Sequence, residues 1–139
     1  MEDKLILSGC LLINKNKEIL LLKRKDHGHY ETPGGKVETT ENLINIQILR
    51  ENAERELREE VGSDFEIDNL VFFSNVVFTT PDGRKAIANK FTTNLISEEP
   101  KINEPELFSE IKWIPISAID SVNLSPDLKI IASLIKERL

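Results

Sequence analysis

Glu56, Glu59 and Glu60 stand within five residues of one another in the run Arg55-Glu56-Leu57-Arg58-Glu59-Glu60-Val61-Gly62. That run closes a segment that reads as helix over residues 42–61. At about 100° per residue, Glu60 lies about 40° to one side of Glu56 and Glu59 about 60° to the other. Three carboxylates crowded on one arc repel and weaken an isolated helix. A divalent cation held by oxygen ligands supplies the missing positive charge. Taken alone, the run also reads as an ordinary solvated face. The arc is expected to be exposed, and a surface ion pair with Glu59, four residues on, is one reading of Arg55.

Upstream, Pro33-Gly34-Gly35 makes a turn with no side chain to block close backbone approach. Together the two halves resemble the Nudix (MutT-like) box, G-x5-E-x7-R-E-U-x-E-E-x-G-U with U aliphatic. Gly35, Glu41, Arg55, Glu56, Leu57, Glu59, Glu60 and Gly62 each match a position. The chain departs from the pattern twice. Thirteen residues separate Glu41 from Arg55 where the pattern has seven, and Ser63 replaces an aliphatic residue. Six added residues turn a helix by about 600° and lengthen it by about 9 Å, so Glu41 is expected far from its usual place. Counting back from Arg55 by the family spacing reaches Gln47, which can hydrogen-bond a metal-bound water but brings no charge.

The resemblance implies an α/β/α sandwich with a mixed sheet, the box forming a loop and helix beside it. It implies Mg²⁺ or Mn²⁺ as cofactor, bound by Glu56, Glu59, Glu60 and the Gly34 carbonyl. Arg55 would orient and balance the carboxylates, with Gly35 at the substrate. Hard cations prefer oxygen ligands, which suits glutamate. Arg24 ends a segment, EILLLKR, that resembles the second strand of bacterial MutT proteins, and is expected at the substrate phosphates; a solvated basic turn is its other reading. Glu104, Glu106 and Glu110 precede Trp113, where family members place a further acid as metal ligand or general base; Glu106 is the choice here. Asn123 is a candidate for a base edge, or a turn residue before the last helix.

Other residues carry less. His27 and His29 could bind metal as a His-x-His pair, but no third ligand stands at matching spacing, so they read as loop residues at a substrate edge. Trp113, Phe72, Phe73 and Phe78 read as core, although one phenylalanine could stack on a base. Cys10, alone in an apolar run, can form no intramolecular disulfide and reads as core.

The elements that must hold these residues follow in order. Residues 5–13 and 18–23 read as strands of a hairpin, and 30–32 as a short extended piece. Gly62 suits a helix stop. Residues 65–78 hold one or two strands, and 79–83 mark a turn before a returning strand over 86–96. A polar loop over 97–106 leads to a short strand at 111–114 and a helical turn at 117–122. Ser125 and Pro126 open the last helix, striped by Ile130, Ile131, Leu134 and Ile135. The class is α+β, in one domain spanning 1–139.

A net charge of −6, with no block of five like charges, argues against a polymer of nucleic acid or a membrane surface as partner. A phosphate substrate would need cations to approach such a protein. No apolar run reaches spanning length and the N-terminus lacks a signal layout, so a cytoplasmic protein is expected. Residues 43–48 are apolar enough to cover the core or a partner subunit, which leaves a homodimer open. The favoured activity is a Mg²⁺-dependent nucleoside triphosphate pyrophosphohydrolase. An ADP-ribose-type pyrophosphatase and a non-catalytic nucleotide-binding module are the rivals.

Overall fold

A computed structural model describes residues 4–39 and 43–139. Eight strands among them form a mixed sheet: β1 (Leu5–Ile13), β2 (Glu18–Arg24), β3 (Tyr30–Glu31), β4 (Gly34–Lys36), β5 (Glu66–Ile67), β6 (Val71–Thr79), β7 (Lys85–Ser97) and β8 (Phe108–Pro115). Helices α1 (Ile46–Val61) and α2 (Pro126–Arg138) cover its two faces, and a 3₁₀ segment, Ile116–Ser121, leads into α2. This is the α/β/α sandwich expected from the sequence. No helix among the described residues is long and apolar enough to cross a membrane.

The unbroken apolar run of β1 reflects burial on both faces. Cys10 and Leu12 pack with α1 around Ala53, Leu57 and Phe91, whereas Leu11 packs with α2 around Leu128, Ile131 and Ile135. Burial pushes the Cys10 thiol up to about 12 and keeps it an inert core group. β1 runs parallel to β7 from Leu5↔Ala86 to Ile13↔Asn94. The expected hairpin with β2 exists but pairs only near its turn, at Ile13↔Ile19. The two strands then part: β2 pairs with β8, and the start of β1 pairs with β4 through Leu7↔Lys36, Ser8↔Gly35 and Gly9↔Gly34. That divergence sets the glycine turn into the sheet.

Some expectations need correcting. α1 begins at Ile46, not at 42, because Asn45 is extended and its side chain accepts from the Ile48 amide at 3.0 Å, closing the helix end. The added residues therefore lengthen the approach to the helix at least in part; Glu41 itself lies outside the described residues. Ile44 and Ile48 pack on the α1-side core, but Leu43 and Ile46 face solvent. Phe72 is 41% exposed rather than core, whereas Phe73 and Phe78 pack against the α2-side core as expected. The last strand is longer than residues 111–114, because β2 pairs with it all the way to Phe108.

One ion pair is buried between sheet and helix. Lys90 Nζ lies 2.7 Å from Asp127 Oδ2 and donates to Thr32 Oγ1 at 2.9 Å. The Ser125 hydroxyl donates to Asp127 Oδ1 at 2.7 Å. Burial pushes the Asp127 carboxyl up, but the Lys90 ammonium, the Ser125 hydroxyl and the Leu128 amide together hold the group below its ordinary value. Its contribution is therefore present above the ordinary aspartate pKa and lost as pH falls through the folded value. Breaking such a pair strands a buried charge. Asp127→Ala should destabilise the protein by about 3–5 kcal/mol in denaturant melts, while Lys90→Met combined with Asp127→Leu should recover most of that loss.

Candidate active site

α1 lies across β1 and β4, so its inward face meets the glycine turn. Asn52, Glu56 and Glu60 follow at intervals of four and share that face. A Cβ on Gly35 would strike the Glu56 carboxyl group, and one on Gly34 would come within 2.8 Å of Gly9 Cα and the Ser8 carbonyl. The β1 backbone thus confines position 34 to glycine, and the bare Gly35 leaves the space that the Glu56 carboxyl occupies. The Gly34 amide donates to Glu60 Oε1 at 3.3 Å.

The three carboxylates do not behave as one exposed arc. Glu60 is only 6% exposed. Its carboxyl is pushed up to about 9, by burial first and by Glu56 second, with the Gly34 amide opposing. Glu59 turns outward, and Arg55 Nη1 grips it at 2.9 and 3.1 Å while Nη2 approaches Glu56 Oε1 at 3.4 Å. Among the described residues no three acidic, histidine or cysteine side chains form a closed metal cage. Two carboxylates beside backbone oxygens still fit Mg²⁺, which keeps several waters and takes further oxygens from phosphate. A cation there would offset the negative charge that burial and Glu56 disfavour on Glu60.

The loop after β7 is stitched to the end of α1. Lys101 and Asn103 amides donate to the Val61 and Glu60 carbonyls at 3.0 and 2.9 Å, and the Asn103 side chain donates to the Glu59 carbonyl at 2.9 Å. This brings Glu104 into the field of the box. Its carboxyl is raised by burial, then by Glu106, Glu56 and Glu59. Glu106 is exposed, and Glu110 accepts from the Tyr30 hydroxyl at 2.9 Å. Glu104 therefore senses both Glu56 and Glu59. The sequence reading favours Glu106 by its distance from Trp113.

Beside the turn opens a cleft of two chambers, about 290 and 320 Å³, which share Leu7, Arg24, Glu31 and Asp127 as walls. The inner chamber reaches Gly34, Gly35, Lys36 and Lys90; the outer is bounded by His27, His29, Phe78 and Pro126. Arg24 thus faces both chambers, its guanidinium held by Asp26 at 2.8 Å and by Glu31 at 3.5 Å. His27 and His29 stack at 5.2 Å, as loop residues on the cleft edge. Asn123 is not among the cleft walls. The neighbouring Leu124 bridges Tyr30 and points into the core, which leaves Asn123 exposed with its carbonyl accepting from the Tyr30 amide at 2.7 Å. Ser125, Pro126 and Asp127 line the cleft instead. Gln47 is on the exposed surface, accepting from Arg50 at 2.7 Å.

The sequence model of the NUDIX domain matches residues 6–136. The chain belongs to the Nudix family, and it is a hydrolase of phosphoric anhydride bonds. No curated protein matches it. Among solved structures it is similar to a MutT NUDIX hydrolase from Burkholderia pseudomallei (22% identity, 99% of each chain covered, TM-score 0.73). It is likewise similar to a MutT protein from Methanosarcina mazei Go1 (22% identity, 98% of this chain and 95% of that one, TM-score 0.74). A third is the NUDIX domain of Shewanella oneidensis NrtR complexed with ADP ribose (18% identity, 99% and 90% covered, TM-score 0.71). At these identities the likeness establishes the fold.

Because Glu60 is raised well above an unfolded glutamate, its stability contribution is complete below the ordinary glutamate pKa and lost as pH rises through about 9. In chelator, Glu60→Gln should melt at or above the wild-type temperature at pH 8, since it removes the cost of keeping a buried carboxyl protonated at that pH. Added Mg²⁺ should raise the wild-type melting temperature and leave that of Glu60→Gln nearly unmoved.

Proposed function

We propose that this chain is a Mg²⁺- or Mn²⁺-dependent pyrophosphohydrolase that converts a nucleoside triphosphate to the monophosphate and pyrophosphate in the cytoplasm. The observation that carries this is the meeting of Glu56 and Glu60 with the Gly34–Gly35 turn at one end of a cleft whose wall carries Arg24 and Lys36.

Glu56 and Glu60, with the Gly34 carbonyl, would hold the cation, and Glu59 stands next to them under the grip of Arg55. When bound, the cation neutralises phosphate oxygens and lowers the pKa of water. Arg24 and Lys36 bind and align the phosphate chain, and the glycine turn lets it approach the backbone. Water adds to one phosphorus, the anhydride P–O bond on its far side breaks, and pyrophosphate leaves. The proton of that water goes to a carboxylate. Glu104 suits this role better than Glu106, because burial and its acidic neighbours raise its proton affinity. The outer chamber, with its histidines, Phe78 and Pro126, has the size and the aromatic wall to receive a base.

Nucleoside triphosphates, ADP-ribose and dinucleoside polyphosphates incubated with Mg²⁺ and the protein should show monophosphate and pyrophosphate only from the triphosphates, with no product in excess chelator. Preferred cleavage of ADP-ribose would move the substrate assignment; tight nucleotide binding with no product from any of the three would replace hydrolysis by sensing. Glu104→Gln should lower kcat by about 100-fold, while Glu106→Gln stays within about threefold of wild type.

A further inference from the structure

Asn52 is polar, 7% exposed and absent from the box pattern, yet it touches three parts of the site. Its amide nitrogen donates to Ser8 Oγ at 2.8 Å and to the Gly35 carbonyl at 3.2 Å. Its oxygen accepts from Arg55 Nη2. Among the described residues no buried side-chain nitrogen or oxygen lacks a partner. We infer that Asn52 is the positioning residue of this site, holding the Arg55 guanidinium in place between Glu56 and Glu59. The inference rests on the hydrolase reading given above.

An asparagine amide has two chemically different ends, and only its surroundings decide which faces where. Ser8 and Gly35 are paired across β1 and β4, so Ser8 Oγ and the Gly35 carbonyl are fixed by the sheet. The carbonyl can only accept. The NH₂ must therefore face the sheet, and the oxygen is left facing Arg55. Without that acceptor, Arg55 keeps a half-exposed pair with Glu59 and a loose approach to Glu56 at 3.4 Å. Exposed pairs of that kind hold a side chain weakly. Asn52 adds a buried anchor tied to the same strand pair that carries the glycine turn, so guanidinium and turn keep a common frame.

The test is a double-mutant cycle between Asn52→Ala and Arg55→Ala, with Asn52→Asp as the same-shape control. Asn52→Ala should lower kcat roughly 10- to 100-fold, as loss of an outer partner does, and leave KM within about twofold. In the Arg55→Ala background the same change should add little, because its target is gone. Asn52→Asp keeps an acceptor for Arg55 and, protonated in these acidic surroundings, donates its O–H toward the Gly35 carbonyl, so it should retain most of the activity. The Arg55 guanidinium NMR signals of the metal-free protein give a second readout. They should be resolved and slowly exchanging in wild type and Asn52→Asp, and averaged in Asn52→Ala. Wild-type kcat in Asn52→Ala, an equal loss in both backgrounds, or an Asn52→Asp as impaired as Asn52→Ala would overturn the inference. If the wild type hydrolyses no nucleotide, the hydrolase reading falls, and the guanidinium signals still decide whether Asn52 holds Arg55.

Discussion

Everything in this molecule's site depends on one close approach: the buried face of α1 laid directly on a turn made of two glycines. A Cβ at Gly35 would occupy the space of the Glu56 carboxyl, and one at Gly34 would press on β1. With no side chain between them, two carboxylates come to backbone distance from the sheet. Both then sit where water is scarce and like charge is near, which raises the proton affinity of Glu60. A group in that position favours either a proton or a cation. The same contact thus creates the need for positive charge and leaves oxygen ligands to meet it.

The surrounding fold serves to hold that contact. β1 pairs with β4 on one side and β7 on the other, so the turn is hydrogen-bonded into the middle of the sheet rather than hung from a loop. Asn52 ties the helix to the same strand pair, and the loop after β7 is bonded to the last carbonyls of α1. On the opposite face, Lys90 and Asp127 join the sheet to the start of α2 and form a wall of the cleft. A buried ion pair is a costly way to gain stability alone; here it also ties sheet to helix beside the path from turn to outer chamber.

The box and the two-layered core were legible because they rest on short-range rules. Glycines mark the close approach, periodicity marks the helix, and a continuous apolar run in β1 marks burial on both faces. Other features depend on distant partners. Nothing near Glu60 in the sequence says that it is buried while Glu59, one residue earlier, is turned out to Arg55; the glycine turn some 25 residues upstream decides that. The helix start at Ile46 was masked by an apolar stretch, although Asn45 is a capping residue by type. The place of Glu104 beside α1 could not be read because the loop's bonds to α1 use backbone groups, which every sequence has. Asn123 looked available, but the bridge between Leu124 and Tyr30 sets it facing outward. Asn52 gave no signal beyond being a polar residue on an apolar helix face.

The central claim, that a divalent cation sits between α1 and the glycine turn, is open to direct measurement. Sub-stoichiometric Mn²⁺ added to ¹⁵N-labelled protein broadens the amide signals nearest to it. The signals of Gly34, Gly35, Glu56 and Glu60 should disappear first, those of Asn123 last, and Glu56→Gln should abolish the effect. Early broadening along the exposed Glu51 and Glu54 side of the helix, with Gly34 and Gly35 left sharp, would contradict the account.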